Sequence, residues 1–125
     1  MSKKIFVVED DAAYAGELRA ALEQAGFAVQ LFETANAAMV AAEKALPDGV
    51  VTGAMLEDLG SGFRLAQWLK GRSAVLPVVI VTGIDELTGL DFASRVASGE
   101  LVCDAYMKKP VAASAVAGQV QKLLA

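Results

Sequence analysis

The side chains in this chain that could do chemistry fall in small groups far apart: the acidic run Glu9-Asp10-Asp11, the hydroxyl of Thr82, and Lys108-Lys109-Pro110. Clustered carboxylates can hold a hard divalent cation such as Mg²⁺. A lysine and a hydroxyl can stabilise the oxygens of a transferring phosphoryl group. The rest of the repertoire is thin. There is no histidine, which excludes a histidine general base and the common histidine-containing metal sites. No nucleophile–base pair is recognisable, so the chain is not expected to be an enzyme. Cys103 is the single cysteine. It has no partner for an intramolecular disulfide, and a reduced, cytoplasmic setting is the default.

These groups act together only if the fold brings them together. Lys4 to Val8 is a short β-branched and aromatic run, the pattern of a buried strand. Tyr14, Leu18, Ala21, Leu22 and Ala25 recur at helical spacing, and Gly26 stops the helix. Phe27 to Leu31 is the second strand. Thr34 caps a helix through Ala45, with Pro47 just past its end. Gly49 to Thr52 is a third strand, weakened by the glycines at 49 and 53. Gly60-Ser61-Gly62 marks a loop, and a helix from Phe63 to Lys70 is closed by Gly71. Pro77 to Val81 is the strongest strand. A helix over Asp85 to Ala97, a strand over Leu101 to Met107 and a last helix complete the chain. Pro110 stands at the start of that last helix, where its missing N–H costs nothing.

The order is (βα)5, an α/β chain with a doubly wound five-stranded parallel sheet covered on both faces. Ligands of such sheets bind beyond the carboxyl ends of the strands, near the topological switch point. The acids follow strand one, Gly53 strand three, Thr82 strand four and the lysines strand five. One crevice is therefore expected to gather them.

Composition narrows the function classes. With 125 residues and 55% apolar side chains, the chain suits one domain over residues 1–125 with an ample core. The net charge of −4 gives no basic surface for direct nucleic-acid contact. The apolar run Ala74 to Val81 is interrupted by Pro77 and far too short to span a bilayer, and Ile5 to Val8 is too short for a signal peptide, so no membrane association is expected.

Val7-Val8-Glu9-Asp10-Asp11, Pro47-Asp48-Gly49-Val50-Val51, Val78-Val79-Ile80-Val81-Thr82 and Asp104-Ala105-Tyr106-Met107-Lys108-Lys109-Pro110 resemble the successive signature segments of response-regulator receiver domains of two-component signalling. The likeness covers the whole chain in the right order. It implies the flavodoxin-like receiver fold and a cytoplasmic role in signal transduction or phosphorelay. It also implies a pocket of Glu9, Asp10, Thr82 and Lys109. In that pocket Glu9 and Asp10 match the acidic pair that binds Mg²⁺. Thr82 matches the switch hydroxyl, Tyr106 the switch aromatic and Lys109 the invariant lysine. The Lys109–Pro110 bond matches one that is cis in the family.

The departure is at the centre. The family places its phosphoacceptor aspartate at the end of strand three, where this chain reads Thr52-Gly53-Ala54. Glycine offers no nucleophile, so an aspartyl phosphate cannot form there. Mg²⁺ loses a ligand, leaving Glu9, Asp10 and a carbonyl near Met55, so no cofactor is required and residual Mg²⁺ binding is weak or lost. Two further departures are Glu57, where the family often has proline, and a longer stretch between Gly83 and Leu101, readable as an extended loop or a displaced fourth helix. Lys109, without its usual partner, is expected to pair with Asp10 or Glu9. Cys103 is expected to be a small core hydrophobe and Trp68 to lie partly buried against the sheet.

The resulting expectation is an atypical receiver acting as a phosphorylation-independent interaction module. Its partner would be a histidine kinase, an output domain or a second receiver. A homodimer would form through the fourth helix, fifth strand and fifth helix. One alternative is a true phosphorelay receiver using a non-standard acceptor such as Asp58. Another is a small anionic-ligand sensor in the vacated crevice, held by Lys109 and Thr82.

Overall fold

The computed structural model describes residues 2–125. Five strands, β1 (Lys4–Val8), β2 (Ala28–Phe32), β3 (Gly49–Thr52), β4 (Val78–Thr82) and β5 (Ala105–Lys108), form one sheet in the order β2-β1-β3-β4-β5. Every pairing is parallel. Six helices cover it: α1 (Ala12–Gln24), α2 (Ala35–Lys44), α3 (Ser61–Arg72), α4 (Ile84–Thr88), α5 (Phe92–Ala97) and α6 (Ala113–Leu124). The α/β, doubly wound, flavodoxin-like receiver fold is therefore present.

Side-chain alternation along the strands divides the interior in two. Phe6, Val8, Val50, Val78 and Ile80 face α2, α3 and the α4–α5 side. Ile5, Val7, Val51, Val79 and Val81 face α1 and α6. Central β3 is buried at every residue. It forms with glycine at its first residue, Gly49, and just past its end, Gly53, and pairs with β1 and β4 on its two edges.

Several boundaries move. Strand β2 starts at Ala28, after the left-handed Gly26 (φ 96°), and β4 starts at Val78 rather than Pro77. Helix α3 runs through Gly71 to Arg72, because nothing there demands a left-handed residue, and Ser73 in extended geometry ends it. The helix expected over 85–97 is broken at Gly89, whose φ of 73° is the left-handed cap of α4. The fifth helix of the sequence pattern is thus α6. Strand β5 is shorter than expected. Asp104, just before the strand, meets β4 through both backbone and side chain: its N–H donates to the Val78 carbonyl (2.8 Å), and its Oδ2 accepts the Val78 N–H (2.7 Å) and holds Lys70 (2.9 Å). Pro110 precedes α6, whose N-cap is Ala112. The Lys109–Pro110 bond is cis.

Candidate functional site

The carboxyl ends of β1, β3, β4 and β5 meet in a crevice of about 320 Å³ lined by Glu9, Asp10, Gly53, Met55, Thr82 and Lys109, among others. The fold brings together the groups that the sequence scatters. They do not share one role. Glu9 is buried, and its Oε1 accepts from Lys109 Nζ at 3.0 Å while Oε2 accepts the Asp11 N–H at 3.0 Å. Lys109 therefore pairs with Glu9, not Asp10. Its Nζ also lies 4.7 Å from the centre of the Tyr14 ring, a cation–π contact. Burial raises the Glu9 carboxyl above its ordinary range, with the Asp11 amide and Lys109 pulling the other way. Asp10 is exposed.

Gly53 needs no special backbone: it is not among the left-handed glycines. A Cβ there would meet Leu56 Cδ2 at 3.4 Å and Glu9 Oε1 at 3.9 Å, ordinary contacts. Glycine at 53 is thus a chemical difference and not a conformational requirement. Gly62 is the opposite case. A Cβ at 62 would collide with the carbonyl of Gly53, because α3 starts pressed onto the loop after β3 and the Gly62 N–H donates to the Ala54 carbonyl (2.9 Å).

The donor set does not fit a divalent cation well. Both oxygens of Glu9 are engaged, position 53 supplies no side-chain oxygen, and among the described residues no three acidic, cysteine or histidine side chains converge on one point. Thr82, buried, accepts the Ile84 N–H on its Oγ1 (3.1 Å), a local turn that sets the start of α4. The Tyr106 hydroxyl donates to Asp85 Oδ1 (2.8 Å), and its ring stacks on Phe63 at 6.2 Å. Asp58 is exposed and clasped by Arg64 at 2.6 Å, outside the crevice lining. Thr52 is buried and donates to the Gly53 carbonyl at 2.9 Å.

Two carboxylates, Glu57 and Asp85, have roles that the sequence did not show. Glu57 reaches the start of α2, where Ala35 and Asn36 N–H groups each donate to it at 2.8 Å. Burial raises Glu57, but those amides outweigh it and hold the carboxyl below its ordinary value. Its place in a loop far from Ala35 in sequence gave no local signal. Asp85 collects Tyr106, Lys108 and two amides of α5. Its neighbour Gly89, a helix breaker inside a helical pattern, was the available hint. Cys103 is half-buried against the core, with burial, then Asp104, pushing its thiol up to about 11. Trp68 is partly buried, as expected, under the Arg72 guanidinium at 4.5 Å.

A doubly wound parallel sheet with acids after β1, a hydroxyl after β4 and a lysine after β5 defines a receiver-type signalling module. The profile of the "Response regulator receiver domain" family matches residues 5–121. The chain belongs to that family. It is 33% identical to the transcriptional regulatory protein CreB of Escherichia coli over 96% of its own length and 50% of that protein. It is 32% identical to the alkaline phosphatase synthesis transcriptional regulatory protein PhoP of Bacillus subtilis, over 99% of itself and 49% of that protein. The chain spans about half the length of these relatives. The receiver domain of a signal transduction histidine kinase from Syntrophus aciditrophicus superposes with a TM-score of 0.81 at 26% identity, over 98% of this chain and 90% of that one. A CheY-like receiver domain protein from Methanospirillum hungatei superposes with a TM-score of 0.83 at 22% identity, over 99% and 94%, which speaks to fold alone.

Among the described residues no helix is long and apolar enough to cross a membrane.

Proposed function

We propose that this chain is a cytoplasmic receiver domain that works without phosphorylation, as a protein-interaction module in two-component-type signal transduction. The observation that carries the reading is the pairing of Lys109 with Glu9 at 3.0 Å in a crevice whose third strand ends in Gly53. The lysine that would meet an acceptor carboxylate is engaged elsewhere, and position 53 has no oxygen to phosphorylate. Asp58 is a poor substitute acceptor, since Arg64 holds it outside the crevice. A small anion in the crevice would have to compete with Glu9 for Lys109.

The partner of such a module is another protein of the pathway: a histidine kinase, an output domain or a second receiver. The face of α4, β5 and α6 is our candidate for contact, including contact with a second copy. Exposed Leu87 lies on α4 and exposed Lys108 on β5.

Incubation with acetyl phosphate and Mg²⁺, followed by intact-mass measurement and peptide mapping, tests the reading. No stoichiometric mass gain is expected. A Mg²⁺-dependent gain of one phosphoryl group would overturn it, and mapping to Asp58 would establish the alternative acceptor.

A further inference from the structure

The stretch between Gly83 and Leu101, longer than the receiver pattern, contains a carboxylate node outside the crevice lining. Asp85 is the second residue of α4, and its side chain is 12% exposed. Its Oδ1 accepts from the Tyr106 hydroxyl (2.8 Å) and from Phe92 N–H (3.3 Å). Its Oδ2 accepts from Ala93 N–H (3.3 Å) and faces Lys108 Nζ at 3.3 Å. One carboxylate therefore ties α4, the first turn of α5 and both ends of the Tyr106–Lys108 stretch of β5. A row of rings supports the same contact: Tyr106 stacks on Phe63, and Phe63 on Phe92 at 5.7 Å, each pair inclined by 17°.

This geometry answers two questions together. Short α4 and α5, five and six residues long, are too short to be stable alone, so something must dock them. The Tyr106 hydroxyl, in turn, has a fixed acceptor on α4, while the Thr82 hydroxyl oxygen is engaged with Ile84. We propose that Asp85 is a latch that fixes the Tyr106 side chain and the broken fourth helix in a single arrangement. The latch rests on the phosphorylation-independent reading in one respect: it takes the place of a phosphate-driven rearrangement as the determinant of the α4–β5 face. Lys108, exposed at the rim, is the part of the node that faces solvent.

The test uses the whole chain labelled with 3-fluorotyrosine. There are two tyrosines, Tyr14 and Tyr106, so two fluorine signals arise, and Tyr14→Phe assigns them. In Asp85→Ala the Tyr106 signal should move toward that of free tyrosine. Amides of residues 84–97 should exchange about tenfold faster or more, while those of α1, α2 and α3 keep their rates. Tyr106→Phe, a gentler change, should speed exchange in the same segment to a smaller extent. An unmoved Tyr106 signal with unchanged exchange over 84–97 in Asp85→Ala would overturn the latch. So would equal acceleration through α1, α2 and α3, in either variant, since that is general loosening. A different result sinks the other reading: a Tyr106 signal that moves in the unmodified chain on adding acetyl phosphate and Mg²⁺ contradicts phosphorylation independence, whatever Asp85→Ala shows.

Discussion

Lys108 and Lys109 are neighbours in sequence, yet they serve two different carboxylates. Lys109 turns into the crevice and meets Glu9; Lys108 turns to the α4 side and meets Asp85. In the crevice the acid has two partners, one ammonium and one amide, and burial wins: the Glu9 carboxyl stays above its ordinary range. At the α4 node burial also raises the acid. There the bonds from Tyr106, Lys108 and the Ala93 amide outweigh it, and Asp85 is held below its ordinary value of 3.8. The crevice carboxylate is thus the less satisfied of the two. Where the third strand ends in Gly53 the outcome is an ion pair; beside Gly89 it is a network of four donors on one carboxylate.

The comparison can be broken from either side. The largest expected effect lies below the crevice. Gly62→Ala forces α3 off the Gly53 carbonyl and should cost about 3 kcal/mol in denaturant unfolding, as overpacking against backbone does. Lys109→Met comes next. It leaves Glu9 buried without its cation and should cost roughly 2 kcal/mol. That is less than for a fully buried pair, because the lysine side chain is 31% exposed. Glu9→Gln in the same background should recover part of the loss, which a double-mutant cycle would read. Glu57→Ala removes the acceptor at the start of α2 and should cost about 1 kcal/mol, with its exchange effect confined to that helix.

The smallest effect is the pH dependence, and it separates the two acids by sign. Asp85 is depressed, so its stabilisation is present above the unfolded value near 3.8 and is lost as pH falls through the lower folded value. Glu9 is raised, so its contribution is complete below its unfolded value of 4.5 and declines as pH rises through the folded one. Protection over 84–97, taken relative to the intrinsic exchange rate at each pH, should therefore fall in acid in the native chain and lose that acid dependence in Asp85→Ala. A fall of equal size in both would place the titration elsewhere.

Much of the fold was legible because buried parallel strands write continuous apolar runs, as in Val78 to Val81, and because Thr34 and Gly26 mark helix ends in the local sequence. The crevice was legible because strand ends order its residues along the chain. What stayed hidden depends on distance in sequence. Glu57 acts on Ala35, and the Asp104 side chain takes up the Val78 N–H at the edge of the β4–β5 ladder. The break at Gly89 was hidden for another reason: apolar spacing runs across it, and only the left-handed backbone separates α4 from α5. Gly53 and Gly62 look alike in sequence, but only the packing shows that one is free to carry a side chain and the other is not.

That freedom at Gly53 gives the most direct test. The native chain and Gly53→Asp are incubated side by side with acetyl phosphate and Mg²⁺, and their intact masses are compared. A Cβ at 53 meets only ordinary contacts, so the variant should fold, bind Mg²⁺ through the restored carboxylate and gain one phosphoryl group. The native chain should gain none. A stoichiometric, Mg²⁺-dependent gain in the native chain would contradict the account.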